Sequence, residues 1–147
     1  MGKIQRTSKQ APARQPFTNM HFRVEIEGMR GSGALEVIFP ESRIVVGPRK
    51  RRALQYGTLT LRRGLSRSRE WYDWWTRAHG SANALERAVL VVLFDDRGAE
   101  AIRWTFRAAK PLGYLVSNLN ALGNEVLMES LEMSVEGFEA SFATAPP

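Results

Sequence analysis

YGTLTLRRGLSRSREWYDWWTRAHG, residues 56–80, holds a strand, a glycine break and a helix in one short stretch. In Thr58–Arg62 the apolar Leu59 and Leu61 alternate with Thr58, Thr60 and Arg62, the period of a half-buried strand. Gly64 ends that pattern. Ser66 and Ser68 are both N-cap candidates, because a hydroxyl there accepts a hydrogen bond from an otherwise unpaired helical N–H. Glu70 places negative charge at the positive end of the helix dipole. Trp71, Trp74, Trp75 and Ala78 recur at helical spacing, and Gly80 stands where a left-handed C-cap would close the helix. The expected helix is short, about three turns, and spans residues 66–79.

Its aromatic stripe has to be covered. Tryptophans bury roughly 150–250 Å² each, so Trp71, Trp74 and Trp75 anchor the helix to a sheet or to a neighbouring subunit. The rival use, a platform on which bases stack, requires exposed rings along a basic groove. Trp104 and Phe106 are expected in the same helix-to-sheet core, since Ile102, Trp104 and Phe106 share one face of the alternating segment Ile102–Arg107.

The rest of the chain reads as strands and turns. His21–Glu27 is a strand with Phe22, Val24 and Ile26 inward, followed by a glycine-rich turn at Gly28–Gly33. Ala34–Phe39 and Arg43–Val46 are strand pieces on either side of Pro40, and Gly47–Arg52 is a charged loop. Ala88–Phe94 is apolar without alternation, as in a strand covered on both faces. Residues 124–142 fit a helix or a strand by periodicity. Gly137 and the spaced acids Glu125, Glu129, Glu132, Glu136 and Glu139 favour a long, partly solvated ribbon. Residues 1–16 contain no acid and two prolines, and read as a disordered basic arm before one β domain over 17–147.

A chain of 147 residues is the size of one ordinary domain with one core. It has no cysteine, which removes disulfides and thiolate metal sites. The basic N-terminus is not followed by an apolar h-region, and the longest apolar run, Ala88–Phe94, is far short of a membrane span. Synthesis and retention in the cytoplasm are expected. The net charge of +6 is unevenly placed: residues 1–83 carry 16 Lys/Arg against 6 Asp/Glu, and residues 84–147 carry 5 against 9. Such a split suits head-to-tail self-association, in which a basic surface of one copy meets an acidic surface of the next.

Catalysis needs convergent titratable groups, and few are available. His21 begins a strand and His79 ends a helix. Asp95-Asp96-Arg97-Gly98 is what a hairpin turn asks for. Phosphate-binding glycine loops, zinc-ligand spacings and nucleophile elbows are absent from the sequence, so no enzyme activity, cofactor or metal is expected. The four cations Arg49, Lys50, Arg51 and Arg52 are the main rival signal. With Arg62, Arg63, Arg67 and Arg69 they could neutralise phosphates in a small all-β nucleic-acid-binding module. Against that, Phe22, Trp104 and Phe106 fall on the apolar faces of their strands.

Taken in order, several stretches resemble the tail-tube proteins of contractile-tailed phages and extracellular contractile injection systems. They are Phe17–Gly28, the strand–Arg62-Arg63-Gly64–helix unit ending in Trp71-Tyr72-Asp73-Trp74, Ala88–Phe106 with its Asp95–Gly98 turn, and Leu119–Phe138. The resemblance covers about 17–142. The connection from Phe39 to Tyr56 is shorter and more basic than the family's. The resemblance implies a mainly β fold, two packed antiparallel sheets or a flattened barrel with one flanking helix. It also implies homo-hexameric rings stacked head to tail around a lumen. Implied partners are sheath and baseplate proteins and a luminal cargo of DNA or protein, without membrane anchoring. Assembly would take place in the bacterial cytoplasm, and the product would be a phage tail or an injection particle. A tube-end member of the family, initiator or cap, is the alternative within it. For ring stacking, Arg49, Lys50, Arg51 and Arg52 are the expected basic partners. Glu125, Glu129, Glu132, Glu136 and Glu139 are the acidic pool.

Overall fold

The computed structural model describes residues 16–17, 21–30, 33–80 and 85–144. The expected N-terminal arm lies outside these residues apart from Pro16. In chain order the strands are β1 (Phe22–Ile26), β2 (Glu36–Ile38), β3 (Ser42–Val46), β4 (Arg52–Tyr56) and β5 (Thr58–Gly64). The helix α1 (Glu70–His79) follows, then β6 (Arg87–Phe94), β7 (Glu100–Val116), β8 (Met128–Ser134) and β9 (Gly137–Phe142).

Two antiparallel sheets share one strand. The first half of β7 lies between β6 and β9, and β6 pairs β1 at the edge. Its second half pairs β8, which pairs β5, which pairs β2. The passage between sheets falls at Ala108, whose φ of 52° is a local break in extended geometry. Pro111 lacks an N–H, and the register slips between Pro111 and Gly113, leaving Leu112 exposed. Among the described residues β3 and β4 pair only with each other and form a separate hairpin.

Between the sheets lies the core. Val24, Ile26, Val89, Val91 and Phe106 face it from the first sheet, and Leu59, Leu61, Leu131 and Met133 from the second. Each such side chain contributes about 1.5–3 kcal/mol by leaving water. Trp71 and Trp74 complete the core from α1. This is the expected fold class, two packed antiparallel sheets with one helix, to which the structure adds the free hairpin.

Several local expectations are corrected. The helix begins at Glu70, and its N-cap is Arg69 with no side-chain hydrogen bond; Ser68 Oγ accepts only a long bond, 3.5 Å, from Glu70 N. Gly80 closes it with φ −101° and ψ 0°, right-handed rather than left-handed. Trp75 is half-buried, unlike its two neighbours on the stripe. β6 is covered on both faces only over Val91–Leu93; Ala88 is exposed. Residues 124–142 are not one ribbon. They form a loop to Leu127, then β8 and β9, which lie in different sheets and are separated at Val135–Glu136. Gly137 makes that turn possible: its φ is +154°, and a Cβ there would stand 2.5 Å from Arg107 Nη2.

Candidate assembly surfaces

The β3–β4 hairpin is anchored at its base. Tyr56 lies edge-on to Phe138 with centroids 5.8 Å apart, and Phe39 packs edge-on to Trp104 at 4.9 Å. Gly57 N donates to Glu41 O at 2.8 Å. Beyond that base Ile44 pairs Leu54 and Val46 pairs Arg52, which puts Ile44, Val46 and Leu54 on one face of the ribbon. All three are at least half exposed. Five residues per strand give the ribbon a reach of about 16 Å.

The tip is tight and cationic. Arg51 N donates to Pro48 O at 3.4 Å, and Gly47 N donates to Arg51 O at 2.7 Å. Arg49 and Lys50 between them both have φ 60°. Positive φ at both central residues is the signature of a type I′ turn, which favours Asn-Gly. Holding two long cations in that conformation costs about 1 kcal/mol or more per residue. Arg49, Lys50, Arg51 and Arg52 are all exposed.

The five acids of the expected pool are scattered. Glu136 is exposed between β8 and β9, where its N–H donates to Arg107 O. Glu139 pairs Arg107 at 2.8 Å, and Glu132 accepts from Thr58 Oγ1 at 3.3 Å. Glu125 is exposed in the loop 117–127. Glu129, expected on a solvated ribbon, is instead 1% exposed and accepts from Arg63 Nε and Tyr114 Oη, both at 2.7 Å. The cause is strand parity: Glu129 shares the inner face of β8 with Leu131 and Met133.

This buried network locks α1 to the second sheet. The Arg63 guanidinium lies 4.1 Å from the Trp71 ring centroid, and Trp75 stacks on Tyr114 at 5.9 Å. Burial, and then the hydrogen bond to the Glu129 carboxylate, push the Tyr114 phenol from 10.0 up to about 12. Below pH 10 the phenol keeps its proton folded and unfolded, so its contribution to stability is complete. Between pH 10 and about 12 only the unfolded phenol ionises, so stability falls as pH rises. Chemical denaturation across that window is expected to show an alkaline loss that is smaller in Tyr114→Phe. An unchanged loss would place the titration elsewhere.

The strand registers set these features at opposite poles. Thr58 pairs Ser134, which pairs Lys110, at the end of the second sheet from which the hairpin emerges. Gly64 pairs Met128 and Val116 pairs Glu129 at the other end, where the loop 117–127 closes the sheet. Arg62, Arg67 and Arg69 therefore do not extend the cationic tip into one groove. Arg62 pairs Glu36 at 2.7 Å, Arg69 pairs Asp73 at 3.3 Å, and Arg63 is buried. Phe106 is buried, and Phe39 packs edge-on against Trp104.

Residues 18–139 match the family described as T4-like virus tail tube protein gp19. No curated protein matches the chain. A chain of the PVC sheath–tube complex of an extracellular contractile injection system, in the extended state, is similar with TM-score 0.65 and 14% identity, over 89% of this chain and 95% of that one. A chain of the 6-fold symmetrised anti-feeding prophage baseplate gives 0.63 and 16%, over 87% and 97%. Hcp1 from Flavobacterium johnsoniae gives 0.61 and 16%, over 83% and 95%. These three likenesses are likenesses of fold.

Proposed function

This chain belongs to the T4-like virus tail tube protein family, and from that membership we propose that it forms hexameric rings that stack head to tail into the inner tube of a contractile tail or injection particle. As a member it is a structural tube subunit. The observation that carries the reading is the family match over 18–139 on a fold whose strands are open to neighbours. Among the described residues β1, β2 and β9 each pair on one side only, leaving rows of backbone N–H and C=O groups free. Such edges are a liability in a monomer and are satisfied when identical copies pair with them. In this reading sheath and baseplate proteins are the outer partners, the lumen conducts DNA or protein, and the role needs no catalysis.

Stacking is assigned to the cationic hairpin tip. Single exposed ion pairs are worth about 0–1 kcal/mol, but sixfold repetition around a ring lets small contributions act together. Reversing Arg49, Lys50, Arg51 and Arg52 to Glu is expected to preserve ring formation and block stacking, read by light scattering and electron microscopy. Because the turn itself is strained, Arg49→Asn with Lys50→Gly removes two cations while relaxing it, and is expected to fold normally and to stack less than the parent at low salt, with the difference shrinking as salt is raised. A protein that stays strictly monomeric at high concentration would overturn the reading. Reversed protein that stacks like the parent would remove the tip from it.

A further inference from the structure

The cationic tip of the β3–β4 hairpin carries charge that nothing around it neutralises. Arg49, Lys50, Arg51 and Arg52 are exposed and have no acidic partner among the described residues, whereas Arg43 on the same hairpin pairs Glu41. On the sheets Arg23 pairs Glu25, Arg62 pairs Glu36, Arg103 pairs Glu100 and Arg107 pairs Glu139. The cations are also held at a cost, since Arg49 and Lys50 both have φ 60°, a conformation that Asn-Gly adopts more readily.

We propose that this tip is a binding site for the phosphate backbone of duplex DNA, without regard to base sequence and independently of any role in stacking. Three features select this ligand. The first is charge chemistry. Four consecutive cations stand on one tight turn, and three are arginines, whose guanidinium forks pair bidentately with phosphate oxygens. Contacts of that kind hold a duplex but carry no sequence information. The second is shape. A two-stranded ribbon fits the major groove of B-DNA, about 12 Å wide and about 8.5 Å deep. With a reach of about 16 Å, the hairpin brings its tip to the phosphates beside the groove while the body of the domain stays clear. The third is what the hairpin lacks for other ligands. Single strands are held by stacking on aromatic rings, and the one ring on the hairpin, Tyr56, packs against Phe138 at the base. Insertion into a lipid surface requires apolar groups ahead of the cations, whereas Ile44, Val46 and Leu54 lie behind the tip.

The test is binding of a fluorescent, random-sequence DNA duplex by anisotropy across a salt series, at protein concentrations too low for rings to stack. Four phosphate contacts give a slope of log K against log salt of about −3.6, and the expected slope is that value or steeper. Arg51→Gln and Arg52→Gln, which leave the two strained positions untouched, should each flatten it by at least about 0.9. Arg97→Gln makes the same change of charge at an exposed position in the β6–β7 turn and should leave the slope as it is. Duplexes rich in A·T and in G·C should bind equally. A slope shallower than about −1, equal flattening by Arg97→Gln and Arg51→Gln, or binding to anionic vesicles in place of the duplex would overturn the site. Stacking plays no part in the measurement, so any of those results leaves the tube reading standing, and duplex binding by a protein that forms no rings would support this site without it.

Discussion

Replacing Trp74 with alanine is expected to destabilise the fold by about 3–5 kcal/mol, measured by chemical denaturation at fixed protein concentration so that association does not mask the change. Two losses add. The ring is 2% exposed and packed in the core between the sheets, so its removal leaves a cavity that the surrounding strands cannot fill without moving. Its Nε1 also donates to Leu85 O at 2.8 Å, and that carbonyl loses its partner. Trp71 is equally buried, but its Nε1 finds no acceptor among the described residues, so its truncation also removes a polar group already unsatisfied. Trp75 is half-buried and should cost less than either. Since a domain is stable by only about 5–15 kcal/mol, Trp74→Ala should leave little soluble protein. A variant that unfolds within about 1 kcal/mol of the parent would mean that α1 contributes little to holding the sheets together.

The second large effect is expected at Glu129. Substituting leucine leaves the Arg63 guanidinium buried without its counter-ion, a change that costs about 3–5 kcal/mol. Tyr114 loses its acceptor at the same time. The triple change Glu129→Leu, Arg63→Met and Tyr114→Phe should recover most of that loss, because buried ion pairs replaced by well-packed apolar groups are often neutral or stabilising. The comparison of single and triple variants by denaturant midpoint separates two meanings of the network. Recovery would show that its cost lies in leaving partners stranded. Failure to recover would show that the charged pair itself contributes net stability, through its contact with Trp71 and its exclusion of water.

Much of this fold was legible from alternation and helical spacing. Leu59 and Leu61 face inward on β5 as their spacing predicts, and Trp71 and Trp74 are buried where the helical stripe puts them. Asp95 sits in the turn it suggests, its Oδ1 accepting from Arg97 N and Ala99 N at 2.9 Å. The buried network was legible too, but only by extending parity to residues whose chemistry argues against burial. Arg63 follows Leu59 and Leu61 at the same period, and Glu129 precedes Leu131 and Met133. A charge predicts solvent until its partner is known, and that partner is 66 residues away in sequence. The poles of the hairpin and the loop could not be read locally either. They follow from which strand pairs which, information that resides in long-range registers rather than in any one segment. Nor could periodicity divide 124–142 into strands of two sheets, since a chain that crosses between layers exchanges its inner and outer faces at the crossing.

β7 is one covalent ribbon of seventeen residues that belongs to both layers of the sandwich. A tube pushed along its axis is loaded in compression, under which two sheets held only by side-chain dispersion could slide over one another. Here such sliding has to pull on peptide bonds through Ala108, while β6 and β9 grip one half of the strand and β8 grips the other. The subunit therefore behaves less like two stacked plates than like a folded strap. Sliding of the layers is therefore opposed by the backbone of β7 as well as by the packing of the core.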